Sequence, residues 1–102
     1  MKRLSAFRTL WVYAFVELRT GTPVTNNAAR RFRRWLVRNG WRRVQGGVYQ
    51  RSARDWQHAD ELSTELGARV PMGGEARVLA VTDKQFERTR VFWGPRLCLR
   101  TA

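Results

Sequence analysis

The sequence predicts a single α+β domain whose strands and helices follow in the order β-α-β-β-α-β. Three observations support this prediction: apolar runs of strand length, two segments with apolar residues at helical spacing, and glycine or proline at the boundaries. A length of 102 residues matches one domain, and 43% apolar residues favour a chain with a core over a disordered basic tail. We assign residues 1–94 to this domain and residues 95–102 to a C-terminal tail.

The first strand and the first helix are both marked by apolar residues. Residues 10–16 form an unbroken apolar and aromatic run whose length is typical of a strand. Because this run does not alternate with polar residues, we expect both of its faces to be covered. A helix is predicted over residues 28–38, with Thr25 or a neighbouring Asn as its N-cap and Asn39-Gly40 at its end. Its buried stripe comprises Ala29, Phe32, Trp35 and Leu36.

The middle of the chain predicts a strand region and a second helix. Residues 41–51 predict strand interrupted at Gly46-Gly47, a pair that fits a bulge or a tight bend between two short strands. The segment 52–55 fits an N-terminal cap, and Gly67 and Pro71 are expected to end the helix that follows. Its residues at helical spacing are Trp56, Ala59, Leu62, Ser63 and Leu66.

Residues 75–82 predict a further strand, and residues 91–93 predict a short extra C-terminal strand. The whole order is that of the ferredoxin-like fold, βαββαβ, in which two helices cover one face of an antiparallel sheet. The strands at residues 10–16 and 75–82 carry apolar residues on both faces, and no further element remains to cover the second face. We therefore expect a symmetric homodimer that packs sheet to sheet.

The net charge of +12 is unevenly distributed along the chain. Of the 20 basic residues 18 are Arg, whose planar guanidinium binds phosphate bidentately. Nine of these arginines lie between Arg30 and Arg54 without a single acid, whereas residues 55–65 hold four acids and no base. The pattern indicates binding to a nucleic-acid backbone, with a merely solvated basic face as the alternative. A membrane surface is not favoured, because no large free apolar face accompanies the arginines.

Most catalytic and metal-binding patterns are missing from the sequence. One Cys and one His exclude a disulfide framework and a Cys/His zinc site, and they favour a reducing cytoplasm. No apolar run approaches the ~20 residues that span a bilayer. Glu17 is the exception, because it ends a buried strand where two copies in a dimer could share a Mg²⁺ ion. The alternative is that Glu17 pairs with Arg19 or another nearby Arg.

Five segments in chain order carry a resemblance to a known family. They are residues 15–18 (FVEL), 31–36 (RFRRWL), 40–49 (GWRRVQGGVY), 81–86 (VTDKQF) and 91–94 (VFWG). With them the chain resembles the CRISPR-associated adaptation protein family Cas-two, which are small ferredoxin-like homodimers, over most of its length. The VTDKQF segment followed by the short VFWG segment is most similar to members from CRISPR systems of the Cas9 type.

The resemblance implies a non-catalytic scaffold that binds DNA. In this family the dimer bridges two dimers of the Cas-one integrase, and the complex inserts a short foreign DNA duplex into the CRISPR array as a new spacer. The integrase carries the strand-transfer chemistry, while the Cas-two dimer holds the middle of the duplex by arginine contacts to phosphates, which carry no sequence information. On this basis we expect duplex phosphates to be bound by Arg19, Arg30, Arg31, Arg33, Arg34, Arg38, Arg42 and Arg43. We expect the other subunit or the integrase to be contacted by Val91, Phe92 and Trp93.

The same resemblance implies a catalytic and metal-binding position at Glu17. Many family members have an Asp there, whose two copies form a metal site for a proposed nuclease activity, and many have a Ser where Gly47 stands. The longer carboxylate and the missing hydroxyl favour the scaffold interpretation. No cofactor other than Mg²⁺ is expected. Three alternatives stay open: a Mg²⁺-dependent endonuclease acting on RNA or DNA through paired Glu17, a structured-RNA-binding protein of the ribosomal type, and a toxin-like ribonuclease.

Overall fold

The computed structural model describes residues 9–95. The chain forms β1 (Leu10–Glu17), α1 (Pro23–Arg38), β2 (Arg42–Gln45), β3 (Val48–Ala53), α2 (Trp56–Arg69), β4 (Glu75–Thr82) and α3 (Asp83–Phe86). The four strands form one sheet in the order β2-β3-β1-β4, and every neighbouring pair is antiparallel. This arrangement confirms the predicted α+β class and the ferredoxin-like order of elements.

The core lies between the two longer helices and one face of the sheet. Along β1, Leu10, Val12 and Ala14 are buried and the residues between them are more exposed, so the unbroken apolar run still alternates in burial. The helices contribute the buried residues Ala29, Phe32, Leu36, Ala59, Leu62 and Leu66. α1 and α2 each bury one face only, and no helix within residues 9–95 is long and apolar enough to span a membrane.

α1 begins five residues earlier than the sequence predicts, which corrects both its start and its N-cap. Thr22 is the N-cap: its Oγ1 accepts a 3.1 Å hydrogen bond from Thr25 N–H, and Thr25 Oγ1 accepts a 3.0 Å hydrogen bond from Thr22 N–H. Pro23 then occupies the first helical position, where the missing N–H of proline costs no helical hydrogen bond. The predicted end is confirmed, since Asn39 caps the helix and Gly40 follows with a φ of 89°.

The glycine pair between β2 and β3 forms a tight turn, as the sequence predicts. Gly47 has a φ of 54°, a left-handed conformation that favours glycine. Its carbonyl oxygen accepts a 2.7 Å hydrogen bond from Val16 N–H. A Cβ at Gly47 would lie 2.6 Å from the carbonyl oxygen of Val16, so this position excludes a side chain unless the backbone shifts.

The start of α2 lies further along the chain than the sequence predicts, and its end at Arg69 lies between Gly67 and Pro71, the two residues expected to end it. Ser52 belongs to β3, and the N-cap is Asp55, whose Oδ1 accepts a 2.8 Å hydrogen bond from His58 N–H. Gly67 does not end the helix, because α2 continues through it to Arg69. A glycine ends a helix by adopting a positive φ, and Gly67 does not adopt one.

The extra C-terminal strand is not formed in the single chain, which corrects the prediction for residues 91–93. Thr82 caps the short α3, a turn follows, and residues 89–95 have no regular structure. Val91, Phe92 and Trp93 are 67%, 80% and 83% exposed. A strand needs a hydrogen-bonded neighbour, and this segment pairs with none of the four strands. Its expected pairing with a second subunit stays a prediction.

Candidate functional site

The face of the sheet opposite α1 and α2 is only partly covered in the single chain. We call this surface the open face, and its β1 and β4 residues are Trp11, Tyr13, Phe15, Glu17, Glu75, Arg77, Leu79 and Val81. Phe15 and Leu79 are 43% and 53% exposed. Tyr13 is the cross-strand partner of Leu79, and its hydroxyl accepts a 2.9 Å hydrogen bond from Gln50 Nε2 of β3. Apolar residues therefore lie on both faces of β1 and β4, as the sequence predicts.

Glu17 lies at one end of the open face, beside two residues that the sequence prediction did not include. It stands directly opposite Glu75 in the β1–β4 register, and both side chains are exposed. Arg77, two residues further along β4, forms an ion pair of 2.8 Å between its Nε and Glu75 Oε2. This hydrogen bond and the charge of Glu75, with a smaller effect from Glu17, raise the pKa of the Arg77 guanidinium above its ordinary value.

Arg19 forms no ion pair with Glu17 in the described residues, and the nearby arginine on this face is Arg77. The Arg19 side chain instead packs against the turn before β4, where a Cβ at Gly73 would lie 3.1 Å from Arg19 Cδ. Within residues 9–95 no ion pair reaches Glu17. The position of Glu75 could have been inferred once β1 and β4 were paired. Two antiparallel strands of equal length bring the last residue of one, Glu17, opposite the first residue of the other, Glu75.

The residues around Glu17 do not fit a divalent cation within one protomer. The nearby carboxylate of Glu75 already binds a guanidinium. Glu17, Glu75 and Gly47 line one shallow cavity of about 290 Å³. Gly47 has no hydroxyl to offer a metal ion, and the backbone around it leaves no space for a side chain that has one. Within the described residues no three His, Cys, Asp or Glu side chains are grouped so that they could hold a metal ion. Because Mg²⁺ demands a near-octahedral set of oxygen ligands, one protomer offers too few of them.

α1 presents a line of arginines on the side that faces away from the core. Arg30, Arg34 and Arg38 follow one another at intervals of four residues, so they share the helix face opposite the buried stripe. We call these three residues the α1 ridge. All three are exposed, and α1 contains no Asp or Glu. In the described part of the chain no ion pair involves them, and Arg30 Nη1 donates a long hydrogen bond of 3.4 Å to Asn27 Oδ1.

The other arginines predicted to bind DNA do not all share the surface of the ridge. Arg31 and Arg33 lie beside it on α1 and are exposed. Arg42 and Arg43 of β2 point to opposite faces of the sheet, as neighbouring strand residues do, and Arg43 is on the side of the buried Tyr49. Since Arg19 lies at a third place, beside the turn before β4, the predicted set is spread over more than one surface.

Some polar groups of the charged middle region are used by the fold itself. Arg51 Nη1 donates a hydrogen bond to the carbonyl oxygen of Asn39 at the end of α1, where helix carbonyls lack helical partners. His58 Nδ1 accepts a 3.0 Å hydrogen bond from Arg54 N–H at the start of α2. The side chain of Arg51 is therefore engaged within the fold, so not every arginine of this region is free to bind a ligand.

Comparison with known proteins finds relatives along most of the chain. A Parvibaculum lavamentivorans protein named CRISPR-associated endoribonuclease Cas2 is 38% identical over 87 residues, which cover 85% of this chain and 86% of that protein. The chain belongs to the Cas2 family. Proteins of the same name from Flavobacterium psychrophilum and Paracidovorax avenae are 30% and 31% identical, covering 92% and 89% of this chain and 82% and 84% of those proteins. No family model matches the chain.

Membership of the Cas2 family confirms the resemblance carried by the five sequence segments and gives the protein a CRISPR-associated role. This membership favours the CRISPR interpretation over a ribosomal-type RNA-binding protein. The name of the relatives describes them as endoribonucleases.

Proposed function

We propose that this member of the Cas2 family is a non-catalytic, dimeric scaffold in CRISPR spacer acquisition. It binds the phosphate backbone of the DNA duplex that is to become a spacer, and it bridges dimers of the Cas-one integrase. The α1 ridge carries this proposal, because Arg30, Arg34 and Arg38 are exposed on one face of a helix that holds no acid.

The spacing of the α1 ridge suits a nucleic-acid backbone. Four helical residues rise about 6 Å along the axis, so the three guanidinium groups are spread along about 12 Å. One strand of B-DNA carries a phosphate about every 3.4 Å of helix axis, so a ridge of this length can reach several phosphates of one strand. Guanidinium groups suit these contacts because their planar fork binds phosphate oxygens in pairs.

The charges of the ridge are free to bind an external anion. In the described part of the chain the ion pair that forms joins Arg77 to Glu75 on the open face, away from α1. Binding a phosphate at the ridge therefore breaks no ion pair of the protein. Because phosphate contacts carry no information about the bases, a protein that binds in this way accepts duplexes of any sequence.

A second copy of the chain is the proposed cover of the open face. Phe15 and Leu79 are exposed at its centre, and apolar sheet faces are commonly buried against a second sheet. Two chains of +12 give a dimer of +24 (2 × 12), which strengthens long-range attraction to a polyanion. The exposed residues 91–93 are proposed to contact the other subunit or the integrase.

Assembly with the integrase and a short DNA duplex tests the proposal. We expect native mass spectrometry at low salt to detect a complex larger than the separate proteins, and a homodimer when this protein is alone. The affinity should fall steeply as salt rises and should not depend on the duplex sequence. If no larger complex forms at low salt, the scaffold function is wrong.

A Mg²⁺-dependent endonuclease acting through paired Glu17 is the second candidate function, and the name of the relatives favours RNA as its substrate. The test compares RNA cleavage by the wild type and by Glu17→Gln, each with Mg²⁺ and with a chelator. Mg²⁺-dependent cleavage that disappears in Glu17→Gln while duplex binding is kept would support the enzyme. Cleavage that survives the substitution points to a contaminating nuclease.

A further inference from the structure

A cationic side chain already lies at the carboxylate pair formed by Glu17 and Glu75. The two glutamates are Cα partners at the ends of β1 and β4. Arg77 lies on the same face of β4, and its Nε donates a 2.8 Å hydrogen bond to Glu75 Oε2. Its own partner across the sheet is Phe15, which makes Glu17 its diagonal neighbour, a position that a long side chain can reach.

The surroundings of the pair favour a guanidinium over a divalent ion. Like charges directly opposite each other on paired strands are destabilising, and a cation beside them offsets this repulsion. A guanidinium stays protonated in proteins, so Arg77 keeps its positive charge beside the two glutamates. A divalent ion would find no side-chain oxygen at Gly47, whose Cβ position is blocked by the Val16 carbonyl oxygen at 2.6 Å.

We infer that Arg77 is the resident cation of the Glu17–Glu75 pair and keeps divalent metal ions out of it. The guanidinium donates to the carboxylate of Glu75, and its positive charge opposes the approach of a metal ion to either glutamate. Without that charge, two adjacent carboxylates would be left as potential ligands. The inference goes beyond the scaffold function and does not depend on duplex binding.

Mn²⁺ binding to the full chain, measured as the loss of the paramagnetic resonance signal of the free ion, tests this inference. Arg77→Gln removes the charge, whereas Arg77→Lys keeps it and is the matched control. We expect Arg77→Gln to bind Mn²⁺ about tenfold or more tightly than the wild type, and Arg77→Lys to behave as the wild type. The gain should disappear when Glu17→Gln is added to Arg77→Gln.

Two results would overturn the inference. One is a Mn²⁺ site in the wild type that Glu17→Gln abolishes, and the other is no gain in Arg77→Gln while its circular dichroism matches the wild type. Because the Arg77 side chain is 80% exposed, we expect these variants to fold. Arg77→Thr is a second variant that removes the same charge and places a residue that favours strands at this position. Duplex affinity is measured in parallel: a wild type that binds no duplex ends the scaffold proposal and leaves the Mn²⁺ comparison unaffected.

Discussion

The indole Nε1 of Trp11 donates a 2.8 Å hydrogen bond to Asp83 Oδ1 and so joins the first strand to the short helix that ends the regular structure. Phe86 stacks on the same indole, with 4.3 Å between the ring centroids and 20° between the ring planes. We call these three residues the α3 clasp. The clasp covers one end of the open face and fixes where the chain leaves the sheet, and therefore where the exposed segment 91–93 begins.

Asp83→Ala is expected to lower the free energy of unfolding by about 1–2 kcal/mol, because the partly buried indole N–H loses a charged acceptor. Phe86→Ala should cost at least as much, since an aromatic pair contributes about 0.5–1.5 kcal/mol beyond the area it buries. Urea unfolding followed by tryptophan fluorescence, at one fixed protein concentration, measures both. Glu87→Ala is the control, because Glu87 is exposed. Equal losses in Asp83→Ala and Glu87→Ala would contradict the clasp.

The sequence predicts the strands well and the clasp not at all, for a physical reason. Residues 10–16 and 75–82 are recognisable because a run of apolar and β-branched residues specifies a strand locally. The hydrogen bond between Trp11 and Asp83 joins residues 72 positions apart, so it exists only once the sheet has formed. The four residues of α3 are also too few to show helical periodicity.

Neutralising the α1 ridge should weaken duplex binding equally for all sequences. Each phosphate contact that is lost flattens the slope of log affinity against log salt by about 0.9, so Arg34→Gln alone should change it by about 0.9. The triple variant of Arg30, Arg34 and Arg38 to Gln should change it by up to about 2.7. Fluorescence anisotropy over a salt series measures these slopes.

Arg88→Gln is the matched control for the ridge, because Arg88 is exposed and lies outside it. Its slope should equal that of the wild type. If the triple variant keeps the wild-type slope, the α1 ridge does not contact the DNA backbone. If Arg88→Gln changes the slope as much as Arg34→Gln does, the slope reports the total charge of the protein and not the α1 ridge.

The candidate site is predicted only in part by the pattern of charges. The spacing of Arg30, Arg34 and Arg38 is visible in the sequence once a helix is predicted, because residues four apart share a helix face. The use of Arg51 as a donor to the end of α1 is not visible, since a charge count does not tell which backbone carbonyls lack partners. The contact between Glu75 and Arg77 depends on side-chain geometry on an exposed strand, which the sequence leaves open.

Thr22→Ala is expected to lower the free energy of unfolding by about 1 kcal/mol, because it removes the acceptor for Thr25 N–H at the first turn of α1. Thr20→Ala serves as the control, since Thr20 is exposed and precedes the cap. Urea unfolding of the two variants measures the difference. A loss in Thr22→Ala no larger than in Thr20→Ala would mean that the helix does not depend on the cap at Thr22.

The two adjacent glycines of the β2–β3 turn should respond differently to the same substitution. Gly47→Ser is expected to lower the free energy of unfolding by about 1–3 kcal/mol, because Gly47 has a positive φ and its Cβ would lie 2.6 Å from the Val16 carbonyl oxygen. A Cβ at Gly46 meets nothing within 4 Å, so Gly46→Ser should change stability by less than about 0.5 kcal/mol.

Because both variants add the same hydroxyl to the same turn, the difference between Gly47→Ser and Gly46→Ser in urea unfolding isolates the effect of backbone conformation and crowding. The strain at Gly47 would fall on Val16, which is adjacent to Glu17 in β1. Because Arg77 keeps its place beside Glu75 in this variant, Gly47→Ser should not by itself create a Mn²⁺ site at Glu17, and its Mn²⁺ affinity should equal that of the wild type. Equal stability of the two serine variants would mean that the turn adjusts freely and that position 47 can accept a hydroxyl beside the carboxylates.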